Sequence, residues 1–230
     1  QSSVGSERYA ALRSAVSPLI KEMIAKLENI FEKRQLRGED GGHRDGEDID
    51  VDRVIDERAS TDPNAPHDPE PPVWTRKNTK EDGPRDYAFS IVLDLSGSME
   101  GPKVKAALSA VIAIVEVLSY FGIEVEVIGF NIELYEAKPF DQELGKKAES
   151  AIGSLEVDSN AGTLMGRAIK ESGQRLLERD PKQKTMIVVT DGASGDDAIG
   201  PISQMQEAGV SVIGVGIGSG TSPVAALFGK

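Results

Sequence analysis

The chain has 230 residues and no cysteine, which excludes disulfides, thiolate metal sites and thiol nucleophiles together. A formal net charge of −12 would repel a phosphate backbone or an anionic lipid surface, so nucleic acid and bare membrane are excluded as partners. The length allows one medium-sized domain with ancillary segments or two small domains, hydrophobic residues make up an ordinary 39%, and no run of about 18 apolar residues is present that would span a membrane.

Gln1–Glu7 lacks the charged-then-apolar pattern of a signal peptide, and the start at Gln1 reads as a processed or truncated chain. With no signal and no cysteine, a cytoplasmic location is expected. Residues 1–37 form a helical segment in which Leu12, Val16, Leu19, Met23, Leu27 and Ile30 recur every three or four positions. Ser17 before Pro18 reads as an N-cap followed by proline in the first turn, giving two short helices or one kinked helix. Packing on its own domain is the simpler role for this segment; docking to a larger assembly is the alternative.

Residues 38–86 are polar, acidic and rich in turn formers, and the stretch Asp62–Pro72 cannot hold a helix or a central strand. This is expected to be a linker or a strap across a surface, with Trp74 pinning it to the core and a short helix over Asp52–Arg58. Asp48, Asp50 and Asp52 alternate as in a calcium loop. The match fails, because position six is Arg53 rather than glycine and position twelve is Ala59 rather than glutamate.

Residues 87–230 alternate strand and helix. Strands are predicted at Tyr87–Leu93, Glu124–Phe130, Met186–Thr190 and Val210–Ile217, with Ile132–Lys138 as an edge hairpin. Helices are predicted at Lys103–Phe121, Leu144–Ile152, Leu164–Arg179 and Asp197–Glu207. The fold class is therefore α/β: a doubly wound, mostly parallel sheet flanked by helices, preceded by the helical segment and the acidic linker.

Ligands of such sheets bind at the carboxyl ends of the strands. After the first strand comes Asp94-Leu95-Ser96-Gly97-Ser98-Met99, a carboxylate and two hydroxyls within five residues. After Met186–Thr190 comes Asp191-Gly192, and Ala161-Gly162-Thr163 opens a helix between them. Asp94, Ser96, Ser98, Thr163 and Asp191 offer only hard oxygen donors, which suits Mg²⁺, with Mn²⁺ or Ca²⁺ as alternatives. Two carboxylates just balance a divalent charge, and three hydroxyls plus water leave a position that an incoming carboxylate can fill.

The series Asp94-x-Ser96-x-Ser98, Thr163, Asp191-Gly192 resembles the metal-ion-dependent adhesion site (MIDAS) of von Willebrand A domains, and the resemblance covers about 60% of the chain, from Tyr87 onward. It implies direct metal ligation by Ser96 and Ser98, ligation by Thr163 in the ligand-bound state, and ligation by Asp94 and Asp191 through water. It also implies that an acidic residue of a protein partner completes the metal's sphere. The stretches Ile91–Gly101, Glu116–Phe130 and Asp191–Asp197, with Asp50–Val54 upstream, are similar to the cobaltochelatase CobT subunit. The magnesium chelatase D subunit and NorD share parts of this pattern. These relatives work with AAA+ ATPases of the chelatase or MoxR type, so the resemblance implies a non-catalytic adaptor with such a partner. A chelatase subunit and a surface adhesion protein are the alternative readings.

Other features carry less. Gly214-x-Gly216-x-Gly218-x-Gly220 lacks dinucleotide-loop spacing and reads as close packing at the sheet's end. No Gly-x-x-x-x-Gly-Lys-Ser/Thr occurs, and His43 and His67, the only histidines, lie in the linker, away from any serine nucleophile. Glu100 reads as a solvated carboxylate beside the metal loop. Asp196 and Asp197 are expected to cap the helix that follows them.

Overall fold

The N-terminal apolar periodicity produces one continuous helix, α1 (Ser2–Arg37), that runs through Pro18. The computed structural model describes residues 2–37, 39–43, 48–49, 74–77, 86–192, 194–218 and 222–228. Described residues up to Ile24 and from Asp86 onward form one compact unit, and those from Ala25 to Lys77 form another. The short helix expected over Asp52–Arg58, the Trp74 side chain and most of the Asp48–Ala59 stretch that failed the calcium-loop match lie outside the described residues.

In the second unit the segment expected as a strap contains three short strands, β1 (Glu39–His43), β2 (Asp48–Ile49) and β3 (Trp74–Lys77). They form an antiparallel sheet in the order β1-β3-β2.

In the first unit Tyr87–Asp94 forms β4, almost wholly buried, as an apolar run covered on both faces requires. It is followed by α2 (Pro102–Tyr120), β5 (Glu124–Phe130), β6 (Leu134–Lys138), α3 (Lys146–Gly153) and α4 (Met165–Leu177). The chain continues through β7 (Gln183–Thr190), α5 (Ile199–Glu207), β8 (Ser211–Gly216) and α6 (Ser222–Phe228). The strand order is β6-β5-β4-β7-β8, parallel except for the antiparallel edge strand β6.

Side chains alternate between the two faces of each strand. Ala88 and Val92 pack with Met165, Ala168, Ile169 and Leu176 of α4 and Ile202 and Met205 of α5. Val104, Leu108, Val111, Ile112 and Val115 of α2 are buried at helical spacing and cover the other face, where Ile91 and Leu93 are also fully buried. At the edge of the sheet Gly214 lies against the Phe228 ring, so this glycine serves close packing there.

The helix α1 belongs to this packing through its first turns. Gly5 and Gly153 approach so closely that a methyl group on either would collide with the other helix's backbone. The Arg8 guanidinium donates to the Leu155 carbonyl at 3.0 Å, at the carboxyl end of α3, where a cation is favoured. Tyr9 is buried and its hydroxyl donates to Glu116 Oε1 of α2 at 2.9 Å; Arg13 Nε donates to the same oxygen at 2.6 Å. Burial and the Glu116 carboxylate push the Tyr9 pKa upward, so the phenol stays a neutral donor.

Of the expected Leu12-Val16-Leu19-Met23-Leu27-Ile30 line, Leu12 is buried and Val16, Met23 and Leu27 are half-buried, while Leu19 and Ile30 are exposed; Tyr9 and Ile20, not expected there, are buried. Leu12 and Ile20 lie eight residues apart on one face, on either side of Pro18. The same face of the helix is therefore buried on both sides of the proline. Among the described residues no helix is long and apolar enough to cross a membrane.

Candidate metal centre

The connectivity makes a crevice. From β4 the chain crosses to β5 on one side and later returns to β7 on the other, so the loops leaving β4 and β7 diverge at their carboxyl ends. Asp94 closes β4 and Asp191 follows β7, so both carboxylates stand at this switch point.

Asp94 is fully buried. Its Oδ1 accepts from the Ser96 amide at 2.9 Å and its Oδ2 from Thr190 Oγ1 at 2.6 Å. The Thr190 hydroxyl oxygen accepts in turn from the Gly192 amide at 3.0 Å. Gly192 has φ +100°, and a side chain there would also press on Pro223 and Val224, so only glycine fits this turn. Burial pushes the Asp94 pKa up, outweighing the bonds from Ser96 and Thr190, and the charge of Asp191 adds to the rise. Among the described residues no cationic side chain pairs with this desolvated carboxylate, an electrostatic setting that a divalent cation would correct.

Ser96 Oγ and Ser98 Oγ lie 3.1 Å apart, and Ser98 Oγ donates to Asp191 Oδ1 at 3.1 Å. Two hydroxyls and two carboxylates thus converge on one corner. Among the described residues no hydrogen bond brings the Thr163 hydroxyl to this corner; its carbonyl accepts from the Gly195 amide at 2.7 Å, and the neighbouring Leu164 amide donates to the Asn131 carbonyl at 3.0 Å. The loop before it bonds to the serine loop, with Asp158 N donating to Leu95 O at 3.2 Å and Gly97 N to Ala161 O at 3.4 Å. A methyl at Gly97 would stand 2.6 Å from the Ser159 carbonyl oxygen, so the glycine lets these loops touch.

Among the described residues no group of three or more histidine, cysteine, aspartate or glutamate side chains gathers to hold a metal. A cation at this corner would depend on hydroxyls and two carboxylates, a donor set that fits a hard oxygen-seeking ion.

Asp196 corrects one expectation. Asp197 does cap the helix that follows, accepting from the Ile199 and Gly200 amides of α5 at 3.0 and 3.2 Å. Asp196 instead caps α4, from a loop about 30 residues further along, accepting from the Gly166 and Arg167 amides at 3.0 and 2.9 Å and from Ser194 Oγ at 2.7 Å. Helix α4 begins without a side-chain cap of its own, and Asp196 supplies one from across the crevice.

Two further residues enter the site. Thr190, read from sequence only as the last residue of a strand, is the partner of Asp94. Lys103 Nζ donates to Asp191 Oδ2 at 2.9 Å and to the Ser98 carbonyl at 3.0 Å. The signal for Lys103 was its place in the first turn of a helix, where a cation opposes the dipole. Glu100 is exposed, as expected. Ile132, in the loop after β5 and beside Gly162, is exposed (47%), as is Ile199 (63%) at the start of α5.

The von Willebrand factor type A domain profile matches residues 90–225, more than half of the chain. No curated protein matches it. Among solved structures the chain is similar to an aerotolerance-related membrane protein from Bacteroides fragilis (19% identity, 57% of this chain, 68% of that chain, TM-score 0.50). It is also similar to the conserved hypothetical protein BatB from Bacteroides thetaiotaomicron (22% identity, 56% and 66%, TM-score 0.48). A third similarity is to proximal thread matrix protein 1 from the mussel byssus, with a zinc-occupied MIDAS motif (19% identity, 63% and 42%, TM-score 0.53). The chain spans about two thirds of the Bacteroides chains' length and less than half of the mussel chain's. At these identities the likeness is one of fold. The matched residues run from within the central strand β4 into α6 and take in all three donor loops, and the chain belongs to the von Willebrand factor type A domain family.

Proposed function

We propose that the chain is a non-catalytic, metal-dependent protein-binding adaptor. Asp94, Ser96, Ser98, Thr163 and Asp191 would hold Mg²⁺, with Mn²⁺ or Ca²⁺ as alternatives, and a partner's acidic side chain would complete the coordination. The observation that carries this reading is the convergence of Ser96 Oγ, Ser98 Oγ and Asp191 Oδ1, at successive separations of 3.1 Å, beside the buried Asp94. When bound, the cation supplies a Lewis-acidic point of attachment for a carboxylate. The chain's own residues do the rest. Thr190 fixes the orientation of Asp94, the Ser96 amide holds its second oxygen, and exposed Ile132 beside Gly162 offers apolar contact next to a polar centre, as protein interfaces do.

The partner is read as a AAA+ ATPase of the MoxR or chelatase type, with the chain acting in the cytoplasm. That step rests on the resemblance of Ile91–Gly101, Glu116–Phe130 and Asp191–Asp197 to the cobaltochelatase group. Affinity purification in Mg²⁺ and in EDTA, with the Asp94→Ala variant beside the natural chain, tests both steps. Loss of a AAA+ partner on either treatment, with circular dichroism unchanged, is the expected result. Undiminished capture in EDTA would overturn the metal bridge. Metal-dependent capture without an ATPase would overturn the choice of partner.

A further inference from the structure

Lys103 stands where helix energetics disfavour it. It follows Pro102 in the first turn of α2, a turn with no acidic residue, and a cation there faces the positive end of the helix dipole. Its side chain nevertheless has a fixed place. Nζ lies 2.9 Å from Asp191 Oδ2 and 3.0 Å from the Ser98 carbonyl oxygen, and the Asp191 side chain is only 11% exposed. The aliphatic stem runs past Gly218, where a methyl group would stand 3.0 Å from Lys103 Cε, so a glycine leaves the lysine room. A local rule broken in this way, with compensation built around it, points to function.

We propose that Lys103 is a built-in counter-ion of the donor cluster. It holds Asp191 when no metal is bound and keeps that carboxylate from coordinating a divalent cation directly. Both Asp191 oxygens are already engaged, Oδ2 by Lys103 and Oδ1 by the Ser98 hydroxyl. Asp94 and Asp191 together neutralise a divalent cation, so Lys103 leaves one positive charge over. The loaded site therefore favours an anionic ligand, and metal affinity is held below what the two carboxylates alone would give. The metal-affinity part of the proposal rests on the metal-binding reading above; the pairing of Lys103 with Asp191 does not.

Calorimetric titration with Mg²⁺ alone tests the first part. Lys103→Met should bind Mg²⁺ about tenfold more tightly than the natural chain, because a positive charge close to the ion is removed from a partly shielded site. Lys103→Arg should stay within about twofold, as should Lys105→Met, which removes a charge from the same helix turn without touching Asp191. Equal tightening by Lys103→Met and Lys105→Met would overturn the proposal in favour of net charge alone, and no tightening would overturn it outright. Thermal melts in EDTA test the pairing: Lys103→Met and Asp191→Asn should lower the midpoint non-additively, and strict additivity would refute the pair. If neither the natural chain nor Lys103→Met binds Mg²⁺, the metal reading falls and the affinity claim with it, while the EDTA cycle still decides the pairing.

Discussion

Replacing Asp196 by alanine should destabilise the first unit by about 2 kcal/mol and loosen the loop that carries Thr163. The carboxylate accepts from the amides of Gly166 and Arg167, two of the donors that α4 leaves without intrahelical partners. Loss of a helix cap costs about 1 kcal/mol, within a range of roughly 0.5–2. Loss of a negative charge at a helix amino terminus adds about 0.3–1 kcal/mol. Asp196→Asn keeps an acceptor and loses only the charge, so it should cost about half as much as alanine. At about 2–4 °C per kcal/mol for a domain of this size, the alanine variant should melt about 4–8 °C lower at pH 7. Partial burial pushes the Asp196 pKa up, but the amides of Gly166 and Arg167 and the Ser194 hydroxyl outweigh it and hold the carboxyl below its ordinary value. Its contribution is therefore complete above the unfolded-state value near ~4 and is lost as pH falls through the lower folded-state value. The gap between the natural chain and Asp196→Asn should narrow as pH is taken from about 5 towards 3. Amide exchange at Gly166 and Arg167 should quicken in both variants. A difference under about 0.5 kcal/mol at pH 7, or one that does not change with pH, would refute this account of the cap.

Lys138 is buried, with Nζ donating to the Val125 carbonyl, and burial pulls its pKa down to about 8 against the opposing pull of Glu126 and Asp141. The folded protein then releases this proton before the unfolded chain does, so stability should rise between about pH 8 and 10.5, by up to roughly 3 kcal/mol. Urea unfolding across that range should show the rise and Lys138→Met should flatten it; identical profiles would contradict the assignment. At the amino terminus, Tyr9→Phe removes a hydrogen bond to a carboxylate and should cost about 1–2 kcal/mol. Tyr9→Ala also opens a cavity, for about 3–5 kcal/mol. A Tyr9→Ala variant that melts at the natural temperature would remove α1 from the core.

The sheet and its loops were legible because their signals are local. Apolar runs such as Ile91–Leu93 and Met186–Val189 carry strand character in every residue, and the candidate oxygen donors follow directly where those strands stop. The edges of elements shifted by a few residues; β7 begins at Gln183 because its polar first turn is recruited by pairing with Tyr87 and Ala88. Long-range pairings were not legible. Asp196 sits next to Asp197 in sequence, and nothing local says that one caps the helix ahead and the other the helix behind. Tyr9 and Gly5 owe their burial to α2 and α3, more than 100 residues away. The three-stranded sheet was hidden for another reason. Glu-Asp-Gly-Gly-His and Trp-Thr-Arg-Lys show no apolar alternation, so no period betrays them.

The bond from Thr190 to Asp94 joins the last residues of two neighbouring parallel strands, each fixed by its ladder to the other. If β7 slipped by one residue along β4, Thr190 would move by about 3.3 Å and present its hydroxyl to the opposite face of the sheet. Asp94 would then be left buried beside an aliphatic neighbour, and Asp191 would withdraw from the serine loop. The corner therefore forms only in the correctly aligned sheet, and any ligand that binds there would favour the proper alignment over its neighbours by mass action.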